Sequence, residues 1–319
     1  MINISMTSFT NATNTTDRES DTEDVPSVAG SIIIIIINTI TCPITVLLNL
    51  LVIKAVKTTP RLRTNSNILL ACLAVTDVLA GLIGQPLFIM WRVDELYGFG
   101  NSETLEIYFV QCLVVMITAS YLHLMLVTLE RLIAIKFSMQ YSDIVTYKNM
   151  RIAVLAAWII PLIIGVFRIL KMVVLVRFSA GLLIISCVLF LTFSYFIMYR
   201  ETRRHRHKIK TQQLPQEEVE RFAKENKALK TTVFVVGAVI VCLLPLCFCL
   251  IVTASALFDS CPINVPSMLT CAMINSLVNP LIYCWRQKEM KKVILGRRTR
   301  VEHLEIQLRR GRLRKEWAT

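Results

Sequence analysis

Charge is scarce in this chain: Asp, Glu, Lys and Arg make up only 18% of its 319 residues, against 55% hydrophobic residues. A soluble protein of this size is usually about 45–50% apolar, so the composition excludes an ordinary soluble globular protein and points to a polytopic membrane protein. Metal-binding cysteine patterns are missing as well. Of the ten cysteines, Cys42, Cys72, Cys187, Cys242, Cys247 and Cys249 lie inside apolar runs, where they behave as small hydrophobes. No Cys-x-x-Cys or Cys/His ligand spacing exists, and no paired catalytic motif, so an enzyme is not expected. The chain also lacks the short basic and apolar opening of a cleavable signal peptide. The net charge of +13 is spread in short runs between apolar segments rather than over one domain, which excludes nucleic acid as the partner.

What the chain has is long apolar runs, each near the roughly 20 residues that span a bilayer. We place seven: about 31–56, 66–91, 104–137, 151–169, 172–199, a sixth ending near 257, and 265–284. Basic residues crowd the connections after the first, third, fifth and seventh, which predicts an extracellular N-terminus and a cytoplasmic C-terminus. The fold class is an all-α seven-transmembrane helix bundle with a short amphipathic eighth helix lying on the bilayer's inner surface. Residues 1–29 are polar and read as a disordered extracellular tail, with glycosylation acceptors at Asn3, Asn11 and Asn14. The bundle covers 30–284, the surface helix 285–296, and a basic cytoplasmic tail 297–319. Residues 200–230 are expected to form the most polar connection, broken at Pro215 with a helical Glu/Lys pattern after it, whereas only a tight turn joins segments four and five.

Polar residues inside the spans are few. An ionisable group deep in lipid costs at least about 2.5–3.5 kcal/mol, which makes Asp77 a functional candidate. Asn49, Ser120, Asn275 and Asn279 supply oxygens at comparable depth, a donor set that a hard cation accepts. Glu130 and Arg131 close segment three. Asn279-Pro280-Leu281-Ile282-Tyr283 closes segment seven, and Cys242-Leu243-Leu244-Pro245 lies in segment six.

With those residues in order, the chain resembles a rhodopsin-like (class A) G-protein-coupled receptor from about residue 30 to 296. Asn49, the Leu73 to Asp77 stretch, Leu129-Glu130-Arg131, Trp158, Tyr195, Pro245 and the Asn279 to Tyr283 motif carry the resemblance. The proline-free segment five, the short outer loop before it and Glu106 in place of a cysteine resemble the melanocortin, cannabinoid and lysophospholipid receptors. The spacing of Cys261 and Cys271 is similar to melanocortin and adenosine receptors, and both lie on the oxidising side, so a disulfide between them is expected. The resemblance implies a plasma-membrane receptor whose partners are an extracellular ligand, the bilayer and a heterotrimeric G protein.

It further implies a switch of Glu130, Arg131, Tyr195, Asn279, Pro280 and Tyr283, with Glu225 a resting partner of Arg131 across a partly exposed pair. No cofactor is expected beyond a sodium ion held as an allosteric ligand by Asp77, Ser120, Asn275, Asn279 and Asn49. Leu113 stands where amine receptors carry an aspartate, and Met273 where opsins attach retinal, so neither ligand is expected. The pocket is assigned to Glu103, Glu106, Leu113 and Leu243, beside an acidic rim that includes Asp94 and Glu95, fitting a peptide or lipid-like ligand. Leu243, Val239 and Leu132 replace the tryptophan, phenylalanine and tyrosine usual in the family. The rival function is an ion channel or transporter with Asp77 as a permeation residue, against which stands the lack of internal repeats.

Overall fold

The computed structural model describes residues 28–211, 216–254 and 265–294. Asn3, Asn11, Asn14, Cys261 and the tail 297–319 lie outside the described residues, as do the side chains of Glu225 and Leu243. Seven long helices form the bundle: α1 (Val28–Thr58), α2 (Asn65–Tyr97), α3 (Ser102–Lys136), α4 (Tyr147–Ile169), α5 (Val173–Thr211), α6 (Gln216–Ala254) and α7 (Val265–Arg286). Among the described residues, α1, α2, α3, α4 and α7 meet the length and apolarity that a membrane crossing needs. Among the described residues a shorter helix, α8 (Lys288–Ile294), follows.

Each helix shows its cause in the sequence. Thr64 and Thr146 cap α2 and α4 by accepting the backbone N–H groups of Asn67 and Asn149. The α4 to α5 turn is as tight as expected. Lys171 takes the left-handed position (φ 57°), its N–H donating to Arg168 and that of Met172 to Phe167, a complete Schellman stop without glycine. Within α2, Ala80–Gly84 form a π segment just past Asp77. Gly81 is needed there, because a Cβ would come within 2.7 Å of Val46 on α1.

Two expected boundaries are corrected. Helix α5 runs on to Thr211 and α6 begins at Gln216, so 200–230 is not a long connection. The Glu/Lys spacing after Pro215 extends α6 well beyond its apolar part, and Pro215 falls just before its start. The surface helix also starts later than residue 285, since Trp285 and Arg286 finish α7. In α8 Met290 is wholly buried, and Val293 and Ile294 pack on the core formed by Val52, Val56 and Tyr283. Its apolar face therefore meets the bundle, while Lys291 and Lys292 are exposed. Helix α3 is the hub, touching α2, α4, α5 and α6.

Candidate functional site

Two polar places interrupt the packing, one mid-membrane and one at the end of α3. At the first, Asp77 is buried and accepts a hydrogen bond from Asn279 Nδ2 at 2.9 Å. Ser276 lies beside the same carboxylate. On the far side of Asp77 lies a cavity of about 40 Å³, bordered by Asp77, Ser120, Asn275 and Ser276 below and by Phe109, Leu113 and Met273 on its apolar side. About 10–15 Å³ suffices for one water, so the space holds an ion with a water or two. The buried Oδ1 of Asn275 accepts no hydrogen bond, whereas Asn279, expected as a further ligand, does not border the cavity and spends its Nδ2 on Asp77. An acid, a hydroxyl and an unsatisfied carboxamide oxygen are the ligand chemistry of a small hard cation, so the residues fit sodium.

Asn49 departs from that expectation. Its Nδ2 donates to the Thr45 and Ser276 carbonyls, at 2.9 and 3.0 Å, and the residue is not among those bordering the cavity. Its amide is committed to joining α1 to the α7 backbone. Ser276 is the member that sequence reading missed. The signal was its place three residues before Asn279, on the same helical face.

At the second place, Arg131 grips its neighbour Glu130 with two hydrogen bonds, Nε to Oε2 at 2.5 Å and Nη2 to Oε1 at 2.6 Å. The side chains are only 7% and 3% exposed, so this pair is buried; the expected partly exposed pair with Glu225 falls on a side chain outside the described residues. Tyr141, in the single helical turn Tyr141–Ile144 after α3, donates its hydroxyl hydrogen to Glu130 Oε1 at 2.7 Å and accepts one from Asn65 Nδ2 at 3.2 Å. Burial, then the bond to Glu130 and its charge, push the Tyr141 phenol up to about 12, so it stays protonated and donates throughout the physiological range. Nothing periodic in the sequence marked Tyr141, since it lies beyond the helix that carries its partner.

Glu130 and Arg131 form one wall of a cavity of about 760 Å³, closed by Arg61, Asn67, Thr231, Val235 and Gln287 among others. A helix with its side chains is about 10–12 Å across, so this volume admits roughly two helical turns. Tyr195 and Tyr283 do not border it. Tyr283 is wholly buried, and the Tyr195 hydroxyl lies beside Thr128; neither hydroxyl makes a hydrogen bond. Both tyrosines sit back in the apolar core. Pro280 is buried inside α7, between the two sites.

The outer end is different in character. Phe88, Trp91 and Phe109 are packed ring on ring, with centroids 5.1–5.9 Å apart, and Leu113 and Met273 pack beside them. Glu103 is exposed, and Glu106 is half-buried among the charges of Glu95, Glu103 and Arg168. Asp94 is no rim acid: it is buried and accepts the Asn101 N–H at 2.9 Å, closing the α2 to α3 turn. Glu95 pairs with Arg92, itself held to Ser31 of α1.

Comparison with known proteins settles the class. The chain matches the 7 transmembrane receptor (rhodopsin family) over residues 48–176 and 167–283. This chain belongs to the rhodopsin family of seven-transmembrane receptors. It is 27% identical to human trace amine-associated receptor 2 over 287 residues, covering 80% of this chain and 79% of that one. It is 23% identical to the sheep adenosine receptor A3 over 282 residues (77% and 83%), and 27% identical to rat G-protein coupled receptor 3 over 264 (77% and 76%). It is thus a multi-pass G-protein-coupled receptor and not an enzyme, and the channel or transporter alternative is not favoured. Two of these relatives are named for different ligands, a trace amine and adenosine, and no single branch is picked out.

Proposed function

We propose that the receptor sits in the plasma membrane with its N-terminus outside, takes a peptide or lipid-like ligand at the outer end of the bundle, and couples through Arg131. The observation that carries this reading is the buried Glu130–Arg131 pair on the wall of the large cavity, where a helix of the G protein has room to reach it. At rest Arg131 is held by Glu130 and by Glu225 of α6. An outward swing of α6 about Pro245 removes Glu225, and Tyr195 and Tyr283 then turn toward Arg131. Asp77, Ser120 and Asn275 hold sodium in the resting state, with Asn279 fixing the acid from behind. Amines named for some relatives do not transfer, because Leu113 offers an ammonium no counter-ion. The glycans at Asn3, Asn11 and Asn14 belong to the same outside face, as would a Cys261–Cys271 disulfide, against which stands Cys271 as a free, exposed thiol inside α7.

The test uses cells expressing the chain with a panel of G-protein dissociation sensors, challenged with basic peptides and with lysophospholipids. A sensor should respond to one of the two classes, and Glu225→Ala should raise its unstimulated signal. Silence of every sensor together with an ion current or substrate flux would overturn the reading.

A further inference from the structure

Three side chains that the coupling site does not use are stacked where α6 meets the end of α7. The Arg286 guanidinium lies 5.2 Å from the ring centre of Phe234 on α6 and 5.4 Å from that of Trp285. The two rings meet edge to face, 5.1 Å apart at 75°. Arg286 Nε is buried and makes no hydrogen bond, so ring faces are what meets this part of the cation. An unpaired guanidinium N–H out of water is unfavourable, and the negative face of an aromatic ring offsets that cost. Trp285 is 66% exposed and Phe234 44%, so the cluster belongs to the outer surface of the bundle and not to its core. Packing of the interior therefore does not explain it.

Its position relates it to the switch. Phe234 precedes Val235, which borders the cytoplasmic cavity with Arg131. It lies eleven residues before Pro245, roughly 16 Å along the helix at about 1.5 Å per residue. A swing of α6 about Pro245 moves a residue that far along the lever away from α7, while Arg286 and Trp285 stay with α7. The clamp is broken by the same motion that opens the coupling site.

We infer that Arg286 is a positioning residue: by gripping Phe234 it holds α6 against α7 in the resting receptor and sets the level of ligand-independent coupling. This rests on the reading of Arg131 given above. The experiment measures unstimulated G-protein nucleotide exchange at matched surface expression for Phe234→Leu, Arg286→Gln, their double variant and Arg286→Lys, with Arg131→Ala alongside. Each of the first two should raise exchange about threefold, the size of one exposed cation–π contact. The double variant should rise no further than Phe234→Leu alone, which removes the Arg286 contact along with the ring contact to Trp285. Arg286→Lys, which keeps a cation over the rings, should stay near the parent. Additive singles would overturn the clamp. So would an effect of Arg286→Gln with none of Phe234→Leu, which would assign the arginine to lipid headgroups. If the clamp variants match the parent while Arg131→Ala abolishes exchange, the clamp is wrong and the coupling reading stands; if Arg131→Ala exchanges normally, the coupling reading itself fails.

Discussion

Two buried carboxylates on neighbouring helices have opposite circumstances. Asp77 accepts a hydrogen bond from Asn279 and borders a small cavity in which the Asn275 amide oxygen accepts nothing. Glu130 has its cation covalently adjacent, gripped at 2.5 and 2.6 Å, and a cavity about twenty times larger beside it. The first site lacks a positive charge and has room for one ion. The second already has its charge and has room for a protein segment. One acid is suited to a mobile ligand that biases the bundle, the other to an exchange of partners that reports the bias, as a two-state switch requires.

The comparison breaks most readily at Glu130. Glu130→Ala leaves a buried guanidinium without that counter-charge, and removing one partner of a buried pair costs about 3–5 kcal/mol. We expect about 3 kcal/mol, the low end of that range, because the cavity admits water. Thermal unfolding of the purified receptor checks this, and an unchanged midpoint would mean that the pair contributes nothing. Tyr141→Phe removes one charge-assisted hydrogen bond from the same acid, worth about 1.5 kcal/mol, and should lower the same midpoint by less.

At Asp77 the expected change concerns ions. At ten times its dissociation constant sodium stabilises the folded receptor by about 1.4 kcal/mol. The unfolding midpoint should therefore rise when sodium chloride replaces choline chloride, and Asp77→Asn should erase the difference. Equal midpoints in both salts for the parent would remove sodium from the account. Smaller still is Glu225→Ala, which should raise unstimulated signalling by up to about fivefold if roughly 1 kcal/mol of resting bias is lost.

A last and nearly null effect comes from Tyr141 titration. Its folded pKa is raised from 10 to about 12, so the stability it contributes is fully present below about pH 10 and lost only as pH rises through about 12. Unfolding of the parent and of Tyr141→Phe should differ by the same amount from pH 6 to 8.5.

Much of this was legible in the sequence, for identifiable reasons. The helices were readable because lipid forces unbroken apolar runs, and Asp77, Glu130 and Arg131 because charge is so rare inside them. Glu130 and Arg131 also needed no fold to bring them together. What escaped depended on packing. Tyr141 reaches Glu130 only through the turn after α3, and Asn49 lines up with the polar residues by depth yet spends its amide on the Ser276 carbonyl. Asp94 carries the same charge as Glu103 but turns inward to accept a backbone N–H. The Glu/Lys spacing after Pro215 hinted at the start of α6, but the full lengths of α5 and α6 escaped because their charged ends lie past the apolar stretch, with no hydropathy to mark them.

The central claim is that Arg131 transmits the signal rather than anchoring α3. It is tested most directly by G-protein nucleotide exchange in membranes containing equal surface amounts of the parent and Arg131→Ala, each also carrying Glu225→Ala to raise the basal level. The account predicts that exchange falls to that of receptor-free membranes when Arg131 is replaced. Exchange by Arg131→Ala equal to the parent's would contradict it.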